Sequence, residues 1–163
     1  MIFDSRTGHV IAADTMPDGK ETYMSPIYLE LGRTIQPQII FGSGGETIGG
    51  TLYQTSLDDL VHNRLEEAKI LVEEEGHGFV APPALADLNN DEILDIVAHN
   101  HGGKVYAING LNHEILWQKS FEGLEANATP TPGYFRGTDK VDLFCHLSKG
   151  SWPNNTGSLQ VLI

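Results

Sequence analysis

The chain of 163 residues is 40% hydrophobic and 20% charged, a composition that indicates a globular protein with a buried core. Its 22 acidic and 10 basic residues give a net charge of −12, which argues against a nucleic-acid partner because phosphates require a basic face. The excess of acidic residues is compatible with binding of divalent cations, or it serves only to keep the protein surface soluble.

The N-terminal stretch "MIFDSRTGHVIAAD" predicts a strand, a turn at Ser5–Gly8 and a second strand. It lacks the basic start and the apolar run of a signal peptide, and no apolar run in the chain reaches the roughly 18 residues of a transmembrane helix. Cys145 is the single cysteine, so no disulfide forms within the chain. Because the chain begins inside a hairpin, we expect it to be a piece of a longer protein.

Three segments align with one another without gaps on a shared proline, at Pro26, Pro83 and Pro130. They read "SPIYLELGRTIQPQIIFGSGG", "PPALADLNNDEILDIVAHNHGG" and "TPTPGYFRGTDKVDLFCHLSKG". The alignment superposes three apolar pairs, which are Ile39–Ile40, Ile96–Val97 and Leu143–Phe144. Self-similarity of this kind indicates a repeat architecture.

Each copy continues after a glycine into a further predicted strand, "GTLYQTSL", "GKVYAING" or "GSLQVLI". The middle copy then adds "AINGLNHEILW", and the opening "IFDSRTGHVIA" matches it with Phe3 under Ile108 and Val10 under Ile115. The unit is therefore four short strands over roughly 45 to 55 residues, which is the length of a propeller blade.

We therefore predict an all-β fold, a β-propeller segment of about three four-stranded blades. Residues 57–68 are predicted to be a loop with one or two helical turns, begun by a capping box of Ser56 and Asp59, and Lys69–Val72 to be a fourth strand. Because closed propellers generally have about four to eight blades, we expect this segment to belong to a larger propeller. The predicted units are an outer hairpin of a preceding blade (1–21), a blade with a degenerate repeat (22–76), a blade with a calcium loop (77–124) and a partial blade with a degenerate repeat (125–163).

The middle copy carries oxygen-bearing side chains along the turn between its first two predicted strands. They stand at loop positions 1, 3, 5 and 9, as Asp87, Asn89, Asp91 and Asp95, and the carbonyl of Ile93 stands at position 7. Calcium takes about six to eight oxygen ligands, so this alternation predicts a Ca²⁺ site. The alternative is an acidic surface turn without a metal, since Asp and Asn favour turns by themselves.

The loop is not an EF-hand, because Glu92 and Ala98 stand where that motif has glycine and glutamate. The other two copies lack a comparable ligand set. We therefore expect the ion to stabilise one hairpin without being required by the fold. The residues aligned with the four side chains are Glu30, Gly32, Thr34 and Gln38 in the first copy and Tyr134, Arg136, Thr138 and Asp142 in the last.

The proline followed by "ALADLNNDEILDIV" and "GGKVYAI" resembles the FG-GAP (VCBS-type) repeat of integrin-like β-propellers, and Phe41–Gly42 stands where that family has its "FG". "AINGLNHEILW" is similar to the PQQ-like propeller repeat, with Asn109, Asn112 and His113 in place of its Asp, Thr and Gly. The resemblance implies calcium in inter-strand loops and an extracellular, cell-surface or periplasmic module for adhesion or assembly with a protein or glycan partner.

His99 and His101 are two residues apart on a predicted strand, and His146 aligns with His99, so these three could form a zinc or copper site or merely fill polar positions. The remaining histidines show no partner of suitable spacing; they are His9, His62, His77 and His113. Two sequons begin at Asn127 and Asn154. We expect Trp117 to pack between blades and Trp152 to be either exposed for a partner or folded onto its own blade.

The sequence shows no recognisable serine–histidine–aspartate triad. The glycine-rich stretch "GSGGETIGG" lies between two predicted strands rather than before a helix. We therefore predict a non-enzymatic, calcium-binding module for protein binding, adhesion or scaffolding. The alternative is the propeller part of an enzyme, such as a quinoprotein dehydrogenase or a polysaccharide lyase, because a fold does not decide function.

Overall fold

The computed structural model describes residues 1–30, 36–151 and 153–163. Almost all regular structure in these ranges is antiparallel strand, arranged as one hairpin and three sheets of four strands each. The prediction of an all-β fold is thereby confirmed. The strands are short and end at glycine, asparagine or aspartate turns, as the sequence pattern predicts.

The N-terminal hairpin pairs β1 (Ile2–Phe3) with β2 (Val10–Ala12). Its turn is closed by the carboxylate of Asp4, which accepts hydrogen bonds from the backbone of Arg6 at 2.8 Å and Thr7 at 3.0 Å. These bonds lower the pKa of the Asp4 carboxyl. The predicted strand–turn–strand at this end is confirmed.

The first sheet has the order β3 (Ile27–Leu29), β4 (Gln38–Gly42), β5 (Gly50–Ser56) and β6 (Lys69–Glu74). Between β5 and β6 lie helix α1 (Leu57–Val61) and a 3₁₀ turn (Leu65–Glu67). The predicted capping box is present, since Ser56 Oγ accepts a hydrogen bond from the amide of Asp59 at 3.0 Å. The fourth strand begins at Lys69 as predicted and extends to Glu74.

The second sheet repeats this meander with β7 (Ala84–Ala86), β8 (Asp95–His99), β9 (Lys104–Ile108) and β10 (Ile115–Ser120). In the third sheet, β11 (Leu124–Glu125) and β12 (Thr131–Gly133) pair along the same edge of β13 (Asp142–Lys149). Strand β14 (Gly157–Leu162) pairs along the other edge of β13.

The sheets lie face to face in chain order, because one apolar cluster joins each sheet to the next. The cluster between the first and second sheets is centred on the fully buried residues Leu29, Ile40, Leu52, Phe79, Ile96 and Ile108. The cluster between the second and third sheets contains Val97, Val105, Leu143 and Cys145, and Trp117 packs against it as predicted. A third cluster of Phe41, Tyr53 and Leu65 packs against Met16 and Leu60 on the remaining face of the first sheet.

The aligned apolar pairs of the three copies alternate between the two faces of their sheets, as adjacent residues of a strand must. In the second sheet, Ile96 belongs to the cluster with the first sheet, whereas Val97 belongs to the cluster with the third. In the other two sheets as well, the two residues of the aligned apolar pair lie on opposite faces of the sheet. The sequence alignment therefore corresponds to a repeated packing arrangement.

Candidate metal centre

The acidic loop lies between β7 and β8, at one end of the second sheet. Two of its residues adopt a left-handed backbone conformation, Asn90 with φ 61° and Glu92 with φ 66°. Asparagine tolerates this conformation, whereas glutamate adopts it less readily, so side-chain hydrogen bonds must hold the turn. Four of the five predicted ligand residues lie in this turn, and the fifth, Asp95, is the first residue of β8.

The side chains of the loop fold inward onto its own backbone amides. The Asp87 carboxylate accepts from the amide of Glu92 at 2.9 Å and from that of Asp91 at 3.2 Å. Asn89 Oδ1 accepts from the amide of Asp91 at 3.0 Å, and Asp91 Oδ1 accepts from the amide of Ile93 at 2.9 Å. The turn can therefore form without an ion, since its carboxylates already have hydrogen-bond donors.

Asp95 has a different position from the other three side chains, because it is completely buried. Its Oδ2 accepts from the amide of Leu88 at 2.9 Å, and its Oδ1 accepts from the amide of Gly110 at 3.0 Å. Gly110 follows β9, and a Cβ there would come within 2.0 Å of the Leu94 carbonyl oxygen. Through these two hydrogen bonds, Asp95 connects the start of the loop to the turn that follows β9.

The donor set fits a hard cation in its chemistry, since it offers three carboxylates, an amide oxygen and the carbonyl of the half-buried Ile93. Within the described ranges, however, no three His, Cys, Asp or Glu side chains already converge as metal ligands. A cation entering this loop would have to share the carboxylate oxygens with the loop amides or turn the side chains toward itself.

The equivalent turn of the third sheet shows how the same buried carboxylate is neutralised there. Asp142 aligns with Asp95 and is equally buried. Its Oδ2 accepts from the Arg136 amide at 2.9 Å, and its Oδ1 accepts from Arg136 Nε at 2.7 Å. This guanidinium lowers the pKa of the Asp142 carboxyl and provides the positive charge beside it. The corresponding turn of the first sheet includes residues 31–35, which lie outside the described residues.

No such cation stands beside Asp95 in the part of the chain that the structure describes: its hydrogen-bond donors there are the two backbone amides. The loop itself, residues 87–95, contains no lysine, arginine or histidine. The second-sheet turn therefore has three aspartates and no positively charged side chain of its own. The third-sheet turn has one, the guanidinium of Arg136.

A cavity of about 310 Å³ adjoins the loop between the second and third sheets. Its walls include Asp87, Leu94, Tyr134 and Val141. Tyr134 is largely exposed, so the cavity opens beside an aromatic side chain and a carboxylate. A group bound in this cavity would lie next to the first residue of the acidic loop.

The three histidines considered as a zinc or copper site are in different environments. His99 ends β8 and is buried, with Nε2 2.7 Å from the Ala128 carbonyl oxygen. His101 lies in the following turn rather than on the strand. His146 is exposed on β13, where its neighbours Cys145 and Leu147 are buried toward the second sheet. His146 therefore points to the opposite face of the third sheet and does not join the other two.

His77 lies beside His101, a contact that the spacing along the sequence did not indicate. The two ring centroids are 5.8 Å apart, and His77 Nδ1 lies 2.5 Å from the Glu46 carbonyl oxygen. His101 is 1% exposed, its Nε2 lies 3.8 Å from Glu125 Oε2, and neither ring nitrogen has a hydrogen-bond partner among the described residues. Burial lowers the pKa of His101, and the Glu125 carboxylate partly offsets this effect.

We predict that stability falls below neutral pH in part because of His99, whose pKa burial lowers from the ordinary 6.5. The unfolded chain takes up this proton first, so the contribution of neutral His99 is complete above pH 6.5 and is lost as the pH falls toward the folded-state pKa. The check is the unfolding free energy at a series of pH values for wild type and His99→Gln. The loss on acidification should be smaller in His99→Gln, while the exposed His9→Gln should match wild type; equal losses in all three would contradict the prediction.

Asn127 and Asn154 are both exposed, so both sequons are accessible. Trp152 lies outside the described residues. Cys145 is buried between the second and third sheets, and burial raises the pKa of its thiol.

No protein-family model and no curated protein matches the chain. Among the residues that the structure describes, no helix has the length and apolar character needed to cross a membrane.

Proposed function

We propose that the chain is a segment of an FG-GAP-type β-propeller that binds Ca²⁺ at the 87–95 loop and acts as a non-catalytic module for protein binding, adhesion or scaffolding. The observation that carries the proposal is the acidic turn without a counter-charge, located between the first two strands of a four-stranded sheet that is stacked between two others.

The stacking supports the propeller part of this proposal. The first two sheets are antiparallel meanders of four strands, the third is a meander of β12, β13 and β14 with β11 added beside β12, and one apolar cluster lies between each pair of neighbouring sheets. Stacked antiparallel meanders of four strands are the building plan of propeller blades. The proposed blades are 22–76, 77–124 and 125–163, preceded by the hairpin of 1–21. Three blades are fewer than the roughly four to eight of closed propellers, so we propose that further sheets complete the ring.

The internal comparison of turns supports the calcium part. Arg136 supplies a positive charge to the buried Asp142 in the third sheet, and a divalent cation would do the same for Asp95 in the second sheet. Asp87, Asn89 and Asp91 would be the other side-chain ligands, and Ile93 would contribute its carbonyl. Extracellular calcium modules commonly have dissociation constants of about 10⁻⁴ to 10⁻³ M, so we expect an affinity in this range for a module outside the cell or in the periplasm.

The proposed role in binding rather than catalysis rests on the FG-GAP resemblance. The cavity beside Asp87 supports it in one respect, since a partner bound between the second and third sheets would contact Tyr134 and the acidic loop together. Calcium would then keep the loop in one conformation for such a partner, which could be a protein or a glycan.

Calcium added to chelator-treated protein should raise the melting temperature, because a ligand that binds only the folded state stabilises it. At a concentration about 100 times the dissociation constant, the gain is about 2.7 kcal/mol. Asp91→Ala should abolish the shift, and calorimetric titration of the same samples should show binding to wild type alone.

The matched control is Asp139→Ala, which removes an exposed carboxylate from the equivalent turn of the third sheet and should leave the calcium response intact. Magnesium at equal concentration should give a smaller shift, because it prefers a rigid octahedral site. If wild type responds to neither measurement, the loop is only a turn and the calcium proposal is wrong.

A further inference from the structure

Two histidines and a carboxylate lie where the connections between the three sheets pass one another. His77 is on the connection from the first to the second sheet, His101 is in the turn after β8, and Glu125 is in β11 of the third sheet. Backbone hydrogen bonds hold these segments together. The amide of His101 donates to the Gly78 carbonyl at 2.8 Å, and the amide of Ala126 donates to the His101 carbonyl at 2.9 Å. The three side chains are therefore brought together inside the stack of sheets.

His101 is buried without a hydrogen bond to either of its ring nitrogens. It is 1% exposed, and among the described residues neither Nδ1 nor Nε2 has a hydrogen-bond partner. Buried polar groups nearly always have such a partner, so the exception requires an explanation, and a bound ion is one. A neutral imidazole has one unprotonated nitrogen, which is a preferred ligand of zinc.

His77 has the hydrogen bond that is typical of a metal-binding histidine. Its Nδ1 lies 2.5 Å from the carbonyl oxygen of Glu46. Donation to this carbonyl places the ring proton on Nδ1 and leaves Nε2 unprotonated, which is the tautomer that binds a metal through Nε2. Because the ring centroids of His77 and His101 are 5.8 Å apart, this tautomer is fixed beside the histidine that lacks a partner.

Glu125 provides a carboxylate beside the same ring of His101. Its Oε2 lies 3.8 Å from His101 Nε2 and accepts a hydrogen bond from Asn155 Nδ2 at 3.1 Å. Two ligand atoms that are each about 2.1 Å from a zinc ion are at most about 4.2 Å apart, so one ion can bridge these two atoms at their present separation. In the part of the chain that the structure describes, no three such side chains already converge on one point, so His77 has to turn its ring to complete the set.

We propose that His77, His101 and Glu125 bind a zinc ion at this junction of the three sheets. Zinc accepts imidazole nitrogens and carboxylate oxygens, and three protein ligands leave a fourth position for water. The site shares no residue with the 87–95 loop, so it does not depend on calcium binding. The ion joins the second sheet, through His101, to the third sheet and to the connection from the first, and thereby stabilises their packing.

The experiment is a zinc titration of the whole, chelator-treated chain in competition with a colorimetric zinc indicator, with calcium in excess so that the acidic loop does not compete. We expect one zinc ion per chain. His77→Gln and His101→Gln should each raise the zinc dissociation constant about tenfold or more, since even the loss of a residue that supports a zinc ligand costs about 10- to 100-fold in affinity. Nitrogen-15 NMR of the imidazoles should show zinc-dependent shifts of His77 Nε2.

His99→Gln is the matched control, because His99 is also a buried histidine close to the same turn, and its zinc affinity should equal that of wild type. Circular dichroism and the unfolding midpoint establish that each variant is folded. His77 is only half-buried, so His77→Gln tests the site even if His101→Gln does not fold. A wild-type chain that binds no zinc overturns the inference. Undiminished binding by His77→Gln, or an equal loss in His99→Gln, overturns it as well, because zinc would then bind elsewhere.

Discussion

Replacement of Asp95 by alanine should lower the free energy of unfolding by about 2 to 5 kcal/mol, even in the absence of calcium. Asp95 is 0% exposed, and its two oxygens accept hydrogen bonds from the amides of Leu88 and Gly110. Alanine would leave both amides without an acceptor, and each unpaired buried donor costs about 1 to 3 kcal/mol. Urea unfolding in the presence of chelator measures the effect.

Two variants serve as controls for this result. Asp91→Ala also removes an acceptor of a loop amide, but Asp91 is exposed and water can replace it, so the loss should stay below about 1 kcal/mol. Asp95→Asn keeps one oxygen acceptor and should fall between the two. If Asp95→Ala is as stable as Asp91→Ala, Asp95 does not hold the loop to the turn after β9.

Replacement of Phe79 by alanine should be the other severe change, with a loss of about 3 to 5 kcal/mol. Phe79 is 0% exposed in the cluster between the first and second sheets, and its ring centroid lies 6.3 Å from that of Tyr106. The backbone of Phe79 is fixed as well, since its amide donates to the Ser43 carbonyl at 3.0 Å. The cavity left by the missing ring would therefore close only in part.

The measurement is chemical unfolding followed by both tryptophan fluorescence and circular dichroism. Leu111→Ala provides the control, because Leu111 is 57% exposed in a turn and its truncation should cost less than about 1 kcal/mol. The two signals should coincide for Phe79→Ala if the stacked sheets unfold as one unit. A loss below about 1 kcal/mol for Phe79→Ala would show that the sheets do not depend on this contact.

Much of the local structure was predictable because its determinants are close together in the sequence. Alternating apolar residues and turn residues predict the meander, and Ser56 with Asp59 predicts the start of the short helix. The acidic loop was likewise evident, since its ligand residues stand close together in the sequence, within residues 87–95. The metal itself remains a prediction, because the same side chains also satisfy the loop amides.

The histidines show where sequence spacing was insufficient. His77 and His101 are far apart along the chain, and they meet because the connection between the first two sheets passes beside the turn after β8. Conversely, His146 aligns with His99 but is exposed, because the position they share faces the following sheet and none covers the third sheet in the described structure. Aligned residues of a repeat point to the same face of their sheets, but what packs on that face differs from sheet to sheet.

The sequence by itself determined the repeated four-strand unit, its turns and the placement of the acidic loop, since each depends on interactions between near neighbours. Only the tertiary structure decided that Asp95 is a buried tie between two turns, that Phe79 lies between two sheets and that Phe144 is exposed. Burial is a property of the whole stack, because a strand residue is covered only when another sheet packs on its face. This dependence on the neighbouring sheet explains why Ile40 and Val97 are core residues while the aligned Phe144 is 40% exposed in the described structure.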